Sequence, residues 1–408
     1  MRLKVTNARG APTLGITLLL GGLSTISPLS IDTFFPSLPT IAAEFHITSW
    51  QAQQILSAYL LPFALFSLLH GSLSDALGRR SVVLGGLTLY TIGSIGCVFA
   101  PNLGLLLFCR VLQGMAAGVG STVARAVVRD LFDGPAAQKL MSSMVLVFSL
   151  APAVAPVLGG WLHVTLGWRS VFAFLLVMGL TQLLLSALLL PETHPKSRRI
   201  EFHPVVLLKS CWSVARDAAY FRLAIAVALS MAPMFVWIGA TPAVILERWQ
   251  LKETQFYYVF IPIVAGFMLA AFTSGRLAGR IPRQRQIAWG FSLMISGALV
   301  SLIAHSLSHA ALIPLTQLVL FSMALGVQLS NPILSLEMLD RHSLARGAAA
   351  SVQSFITLGV GAVTGGMVAP LLNGNLQLLS AISLAVSLVA CMAWRAGLAL
   401  RATAPGQT

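Results

Sequence analysis

The sequence predicts an all-α polytopic membrane protein with twelve transmembrane helices in two six-helix bundles. Apolar residues make up 57% of the 408 residues and charged residues only 9%, against roughly 25% charged in soluble globular proteins. The apolar residues fall into twelve long runs, and a spanning helix needs roughly 20 of them. This pattern excludes a soluble enzyme, a disordered chain and an outer-membrane barrel, whose strands alternate polar and apolar residues.

Each apolar run predicts one helix, with boundaries expected to within a few residues. The helices are expected at about 12–36, 53–73, 81–100, 103–124, 139–161, 168–190, 219–244, 254–274, 286–306, 311–333, 345–370 and 376–398. With a cytoplasmic N-terminus, 22 of the 26 Lys and Arg residues fall on the cytoplasmic side. Only Arg169, Arg248 and Lys252 fall on the other side, and Arg110 falls inside a helix. This bias predicts that both termini are cytoplasmic.

The longest polar stretch lies in the middle of the chain and predicts the domain organisation. Residues 1–190 are expected to form an N-terminal six-helix bundle, residues 191–218 a cytoplasmic central loop, and residues 219–408 a C-terminal six-helix bundle. Two such halves are usual in secondary transporters. The chain contains no GxxxxGK[ST] phosphate-binding loop, so it encodes no ATP-driven motor.

Two ionisable residues lie inside predicted helices, where a charge is expensive and indicates function. Asp32 in helix 1 and Arg110 in helix 4 lie about 6 Å and about 10 Å from the outer surface at 1.5 Å per residue, so they are able to pair. Asp32 is therefore the candidate for proton coupling, with a proton affinity set by burial and by Arg110. The structural alternative is a static salt bridge that only fastens two helices.

A Gly-rich, charged turn follows helix 2 and contains Gly71, Asp75, Gly78, Arg79 and Arg80. Glycine permits the tight turn. Asp75 is able to face a helix N-terminus, and the arginines a helix C-terminus or anionic lipid. A simple positive-inside turn would have the same composition.

Helix 5 contains Pro152, Pro156, Gly159 and Gly160. Pro152, Pro156 and Gly160 are four residues apart and share one helix face. The prolines bend the helix, and the small residues let a neighbouring helix approach closely. Plain helix packing is the alternative explanation.

Other classes of site are not expected. The four cysteines form no CxxC pair and are interpreted as free thiols. The histidines form no persuasive metal site, and no Ser/His/Asp or Cys/His arrangement is present, so we predict neither a metal nor an enzyme activity. The net charge of +14 would suggest nucleic acid in a soluble chain. In a membrane protein it reflects the cytoplasmic loops, and no nucleic-acid partner is expected.

Together these segments resemble the major facilitator superfamily, and more narrowly its twelve-helix drug:proton antiporters of the Bcr/CflA type. Residues 71–80 match the loop motif G-x-L-[SA]-D-x-x-G-R-[RK], and the segment from Arg110 matches R-x-x-Q-G. Residues 155–160 are similar to the antiporter motif G-P-x-x-G-G, and residues 32–39 to the signature D-M-Y-L-P-x-x-P. The segments GWRSVFAF and PET at 167–174 and 191–193 also match.

The sequence departs from the family pattern at several positions. Ala76 replaces a usual Arg, Ala155 a Gly and Ser72 a frequent Pro. Some relatives that export cationic drugs carry a second acid two turns before the helix 1 aspartate, where this chain has Ser24. The resemblance therefore favours neutral, zwitterionic or singly charged substrates.

The resemblance implies proton-coupled efflux of small amphipathic drugs, such as chloramphenicol- or bicyclomycin-like compounds, by alternating access. Asp32 and Arg110 would couple the proton, and the helix 5 prolines and glycines would form the antiporter motif. Asp75, Arg79 and Arg80 would belong to a cytoplasmic latch between the halves. A proton-coupled exporter of a native metabolite (a sugar, amino acid or siderophore) is the alternative, and a non-transporting sensor on the same scaffold is a third possibility.

Polar and aromatic residues inside the helices are candidates for the lining of a central cavity. They are Tyr59, Gln113, Trp237, Gln328 and Asn331. Hydrogen bonds between helices would explain the same residues. No cofactor is expected, since the proton gradient is the energy source. The expected partners are a small-molecule substrate, protons and membrane lipid, for a chain that works as a monomer in the bacterial inner membrane.

Overall fold

The chain forms α-helices joined by short connections in a computed structural model. The structure describes residues 13–132, 134–199, 203–277, 280–308, 312–342 and 345–402. No β-strand occurs among these residues. The chain divides into two compact units, Met1–Pro204 and Val205–Thr408.

The described residues of the N-terminal unit form eight α-helices. They are α1 (Leu14–Asp32), α2 (Leu38–Glu44), α3 (Ser49–Ser67), α4 (His70–Leu77), α5 (Arg79–Val98), α6 (Leu103–Leu131), α7 (Gly134–Leu166) and α8 (Arg169–Leu189). Polar caps begin two of them: the Thr48 hydroxyl accepts from the amide of Gln51 before α3, and the Asn102 side chain accepts from the amide of Leu105 before α6. Such caps satisfy amides that the first helical turn leaves unbonded.

The C-terminal unit contains the other helices. They are α9 (Pro204–Ala215, from Val205 onward), α10 (Ala218–Pro242), α11 (Tyr257–Leu277), α12 (Arg283–Leu307), α13 (Ile313–Arg341), α14 (Arg346–Val363), α15 (Ala369–Leu371) and α16 (Leu376–Ala402). A π-helical turn, Ala243–Arg248, extends α10, and another, Thr364–Val368, joins α14 to α15.

The two units repeat the same packing order. In the first, α6 packs on α3 and α5, α5 packs on α8, and α1 packs on α6, α7 and α8. In the second, α13 packs on α11 and α12, α12 packs on α16, and α10 packs on α13, α14 and α16. If α1, α3, α5, α6, α7 and α8 are replaced by α10, α11, α12, α13, α14 and α16, the packing order of the first unit becomes that of the second. Such a correspondence is expected for an internal duplication.

The predicted membrane fold is confirmed. Ten segments of the described residues are long and apolar enough to cross a membrane, and the bent pair α3–α4 is an eleventh. The 33-residue helix α7 occupies the place of the remaining predicted span. Large apolar side chains such as Phe99, Leu188 and Leu307 are 69–84% exposed, which is the arrangement of a protein whose solvent is lipid.

The boundaries of the first two spans differ from the prediction. Helix 1 ends at Asp32, and the chain continues through a 3₁₀ turn and α2 to Glu44. The prolines at 36 and 39 have no backbone N–H group, so they cannot donate the hydrogen bonds that would continue the α-helix. The second span is broken at residues 68–69 and bends by 53° between α3 and α4.

The predicted central loop contains an extra helix, α9, which the sequence analysis treated as loop. Its four exposed apolar residues, Val205, Val206, Leu208 and Trp212, were not expected in a cytoplasmic connection.

Candidate functional site

Arg110 lies in the centre of the N-terminal unit and is fully buried. Its Nε donates to the carbonyl of Ile55 on α3 at 3.2 Å, and its Nη2 donates to the carbonyl of Ser30 on α1 at 3.1 Å. Its Nη1 donates to Oε1 of Gln113 at 2.9 Å. The rings of Tyr59 and Phe34 lie 4.4 and 4.7 Å from its guanidinium carbon. Arg110 therefore joins α1, α3 and α6.

The end of α1 explains one of these bonds. The last carbonyls of a helix have no partner within it, and the carbonyl of Ser30 is among the last four of α1. The interruption at Asp32 thus supplies the acceptor that Arg110 uses. A guanidinium in a dry interior is stable only when its N–H groups are bonded. Carbonyl dipoles and ring faces stabilise this one, which has no counter-ion in the part of the chain that the structure describes.

Close helix approach around Arg110 depends on glycine. A Cβ on Gly114 would lie 2.2 Å from the carbonyl oxygen of Tyr59, and a Cβ on Gly120 would lie 2.3 Å from that of Leu23. Both distances are too short for a side chain. These glycines of α6 therefore let α3 and α1 approach within reach of the guanidinium.

A polar network surrounds Arg110. The amide nitrogen of Gln113 donates to the hydroxyl of Ser94 at 2.8 Å, and the thiol of Cys97 lies 3.8 Å from the Gln113 carbonyl oxygen. The hydroxyls of Ser30 and Tyr90 are 2.5 Å apart. Ser94 and Tyr90 were not predicted as site residues, because a single hydroxyl in an apolar helix gives no distinctive signal.

Asp32 does not form the expected ion pair with Arg110. Asp32 is 4% exposed and makes no hydrogen bond or ion pair with any residue in the described part of the chain. Depth along the membrane suggested the pair, whereas in this structure Arg110 binds the carbonyls of Ser30 and Ile55 and the side-chain oxygen of Gln113.

The Pro/Gly segment of α7 packs against the chain next to Asp32. A Cβ on Gly159 would lie 1.8 Å from the carbonyl oxygen of Thr33, so α7 touches the backbone at the end of α1. Pro156 and Gly160 are buried and Pro152 is half-buried. The sequence grouped Pro152, Pro156 and Gly160 on one face, whereas the contact with Thr33 is made by Gly159.

The predicted cavity residues have different environments. Tyr59 and Gln113 are fully buried and belong to the Arg110 network. Asn331 of α13 accepts a hydrogen bond from the Ser230 hydroxyl of α10 at 2.7 Å. Gln328 is half-buried. Trp237 is 1% exposed, and its indole nitrogen has no partner among the described residues.

The Gly-rich segment expected to be a turn is helical from His70 to Leu77 (α4), and a charged cluster with Arg79 at its centre lies where α4 meets α5. Arg79 is 8% exposed, and its side chain contacts Asp75 at 2.5 Å and Asp130 at 3.2 Å. Its backbone amide donates to Glu192 at 3.0 Å, which places a carboxylate at the N-terminus of α5, a favourable position. Arg80 donates to the carbonyl of Ala187 near the C-terminus of α8.

The two glycines of this segment have different roles, since Gly71 lies inside α4 and Gly78 lies between α4 and α5. Gly78 has φ = +95° and forms the one-residue link between α4 and α5. A Cβ there would also lie 2.4 Å from Nη2 of Arg199 and 2.5 Å from Oε2 of Glu192. A Cβ on Gly71 would meet nothing within 4 Å. All these partners belong to the N-terminal unit, and the predicted latch between the halves stays a prediction.

Two further contacts of the N-terminal unit were missed. Glu44, at the end of α2, accepts from the Trp168 indole at 2.6 Å and from Arg169 at 2.7 Å. His70 is buried at the break between α3 and α4, and its Nε2 lies 2.9 Å from the carbonyl of Met115. The GWR segment was visible in the sequence. Its contact with Glu44 was not, because the partners are more than 120 residues apart in the sequence.

Comparison with known proteins agrees with this architecture. Residues 20–366 match the family described as the Major Facilitator Superfamily. An uncharacterized MFS-type transporter of Bacillus subtilis, YdgK, is 29% identical over 377 residues, covering 90% of this chain and 91% of the relative. A bicyclomycin resistance protein homolog of Haemophilus influenzae is 26% identical, covering 86% and 88%, and the multidrug resistance protein MdtL of Escherichia coli is 28% identical, covering 83% of both.

A solved structure shares the fold at low identity. It is a POT family transporter in complex with 5-aminolevulinic acid, with a TM-score of 0.74 and 11% sequence identity. The match covers 96% of this chain and 98% of that one. At this identity the likeness concerns the fold alone.

Proposed function

The chain belongs to the Major Facilitator Superfamily, and we propose that it exports small amphipathic drugs in exchange for protons. One observation carries the proposal: Asp32 is a buried carboxylate, and no hydrogen bond or ion pair to it occurs among the described residues. It lies where α1 is interrupted and beside the contact of α7 with Thr33. The names of two relatives, a bicyclomycin resistance protein homolog and a multidrug resistance protein, support drugs as the substrates.

Asp32 is the proton carrier in this mechanism. An unpaired carboxylate in an apolar interior costs several kcal/mol when ionised, so the arrangement around Asp32 suits a carboxyl group that holds a proton. Release of the proton requires water or a charged partner to reach the carboxyl group. In a rocker-switch cycle, drug entry from the cytoplasm provides that change, and the outward-facing state returns the proton.

Arg110 acts as a positioning residue in this mechanism. It holds the carbonyl of Ser30, two residues before Asp32, and so sets the orientation of the end of α1. Rearrangement of α1 against α7 would change the distance between Asp32 and Arg110, and with it the proton affinity of the carboxyl group. One elementary charge moved through 100 mV supplies about 2.3 kcal/mol, enough for roughly 50-fold accumulation of drug per proton.

The substrates proposed are neutral, zwitterionic or singly charged. The position two turns before Asp32 is Ser24, whose hydroxyl donates to the carbonyl of Leu20, so α1 offers one acid there and not two. Tyr59, Gln113, Trp237, Gln328 and Asn331 remain the proposed contacts of the cavity with substrate. Of these five residues, Trp237 has the strongest support for this role, because its buried indole N–H has no hydrogen-bond partner among the described residues.

The proposed location is the bacterial inner membrane with both termini in the cytoplasm. The proton gradient is the energy source, no other cofactor is needed, and the chain works as a monomer surrounded by lipid. The support is the distribution of Lys and Arg in the connections between spans, which favours the cytoplasmic side. The charged cluster around Arg79 then lies on the cytoplasmic side.

The test uses purified protein in liposomes with an acidic lumen that contains a pH-sensitive dye. Chloramphenicol, ethidium and unrelated compounds are added to wild type, Asp32→Asn and a control, Asp340→Asn. The Asp340 carboxylate is 57% exposed, so its loss leaves any buried proton site intact. We expect drug to release lumenal protons in wild type and Asp340→Asn, and the Asp32→Asn liposomes to behave like empty ones.

Two results would contradict the proposal. Equal proton release by wild type and Asp32→Asn would make Asp32 structural. Proton release by sugars, amino acids or siderophores, and by none of the drugs, would favour the metabolite exporter. The same Asp32→Asn comparison then tests the carboxylate with the metabolite as substrate.

A further inference from the structure

The helix α9 lies directly before a membrane span. It runs from Pro204 to Ala215, and the span that begins with α10 starts at Ala218, after only two residues. The second of these residues, Asp217, caps α10 by accepting from the amides of Ala219 and Tyr220. Asp217 is also held by Arg341 of α13. The C-terminal end of α9 is therefore anchored at the level where α10 enters the membrane.

The two faces of α9 have opposite environments. Cys211 and Val214 are buried against the C-terminal unit, at 6% and 1% exposure. Val205, Leu208 and Trp212 share the other face at helical spacing, and they are 62%, 52% and 60% exposed. A contiguous exposed apolar face on a short helix marks an interaction surface.

The exposed charges of α9 and of the residue that follows it are basic. Lys209 is exposed on the same face as Trp212, and the guanidinium of Arg216 lies over the Trp212 ring at 4.9 Å from its centroid. The sequence of α9, PVVLLKSCWSVA, contains no Asp or Glu. Tryptophan, aliphatic residues and lysine on one helix face are typical of a helix that lies in the membrane interface.

We propose that α9 lies in the membrane interface and binds acidic phospholipid there. Val205, Leu208 and Trp212 enter the boundary of headgroups and acyl chains. Lys209 and Arg216 lie among the headgroup phosphates. Acidic lipid is the occupant because the anchored end of α9 lies at membrane level and its exposed charges are both positive.

Binding of α9 to lipid would affect the connection between the two units. The segment 191–218 connects the two units, and α9 ties the second part of this connection to the lipid surface. The state of α9 should therefore depend on the content of acidic lipid. This inference rests on the membrane fold and does not require that the chain exports drugs, so the two proposals can fail separately.

The test measures Trp212 in the full-length chain, reconstituted in phosphatidylcholine vesicles with or without about 30% phosphatidylglycerol. The emission of Trp212→Phe is subtracted from that of wild type, which isolates the signal of Trp212 from the other seven tryptophans. One quencher is a lipid brominated on its acyl chains, and the other is iodide, present on both sides of the membrane. We expect the brominated lipid to quench the Trp212 signal and iodide to leave most of it.

Three variants test the roles of charge and apolar contact. Near an anionic surface each basic residue contributes about a fivefold effect, so Lys209→Gln should lower the ratio of docked to undocked α9 about fivefold in vesicles with phosphatidylglycerol. Lys252→Gln, an exposed lysine in the connection before α11, is the matched control and should change nothing. Leu208→Glu places a carboxylate on the apolar face and should expose Trp212 to iodide.

Two outcomes would overturn the proposal. Quenching of wild-type Trp212 by iodide and not by brominated lipid would place α9 in water. Protection from both quenchers would mean that protein, such as a second copy of the chain, covers this face. If Lys209→Gln and Lys252→Gln give the same dependence on phosphatidylglycerol, recognition of acidic lipid is refuted. Neither measurement needs a transported substrate.

Discussion

Replacement of Gly159 by alanine tests the contact between α7 and the end of α1. A Cβ at this position would lie 1.8 Å from the Thr33 carbonyl oxygen, whereas ordinary contact begins at 3.4 Å. The two helices must therefore separate by roughly 1.6 Å, and overpacking of this kind costs about 1–3 kcal/mol. For a unit of about 200 residues, that corresponds to a loss of roughly 2–12 °C in Tm.

The matched control is Gly85→Ala. Gly85 lies inside α5, and a Cβ there would meet nothing within 4 Å. Both substitutions gain the same helix propensity, about 0.5–1 kcal/mol, so their difference isolates the contact with Thr33. We expect Gly85→Ala to keep or raise the Tm of the wild type while Gly159→Ala lowers it.

The unfolding assay can use the protein's own thiols. Cys97 and Cys109 are buried in the N-terminal unit, so a thiol-reactive fluorogenic dye reports the opening of this unit on heating. Since Gly159 contacts the residue next to Asp32, we also expect Gly159→Ala to reduce drug-driven proton release in liposomes. Equal melting curves for Gly159→Ala and Gly85→Ala would refute the close contact, and with it the link between the Pro/Gly segment and Asp32.

Three further outcomes are expected. Arg110→Lys keeps the charge but loses the planar set of donors, so it should lower the stability by about 3 kcal/mol and uncouple drug and proton flux; wild-type Tm in the same dye assay would contradict this role. Burial alone would raise the pKa of Asp217, but hydrogen bonds from Arg341 and from the α10 amides outweigh it and hold this pKa below its ordinary value. The ionised carboxylate therefore stabilises the fold at neutral pH, and this contribution is lost as the pH falls below about 4. Asp217→Asn should accordingly lower Tm at pH 7 and lose this deficit in acid, and a pH-independent deficit would speak against the ion pair. Since Cys97, Cys109 and Cys211 are buried and Cys391 is half-buried, a thiol-alkylating reagent should modify Cys391 first in the folded protein, as peptide mass mapping would show; equally rapid modification of Cys97 or Cys109 would contradict their burial.

The membrane fold was predictable because it depends on composition summed over long segments. Runs of about 20 apolar residues indicate spans regardless of how the spans pack. Local interruptions were less visible. The prolines at 36 and 39 indicate the end of α1. Gly71 suggested a turn after the second span, whereas the break lies at residues 68–69 and Gly71 is inside α4. The helix α9 was missed because its flanks are polar, although its apolar residues recur at helical spacing.

The site was predictable only in part, for a different reason. Arg110 and Asp32 were visible because an ionisable group within an apolar run is rare. The partners of Arg110 were not, since two of them are backbone carbonyls, which carry no residue signature. Depth along the membrane suggested that Asp32 and Arg110 pair, but depth leaves the rotation about the helix axis undetermined. Asp130 and Glu192 were likewise missed as partners of Arg79, because they lie 51 and 113 residues away in the sequence.

The end of α1 is held from two sides, and this arrangement bears on how a proton could be exchanged. Arg110 binds the carbonyl of Ser30, and α7 abuts the carbonyl of Thr33 through Gly159. Asp32 lies between these two fixed points. Movement of α7 away from Thr33 would release one of these contacts and leave the other in place. In the proposed mechanism, the glycine at 159 permits the arrangement in which Asp32 has no ion-pair partner, and Arg110 continues to hold the end of α1 when α7 moves.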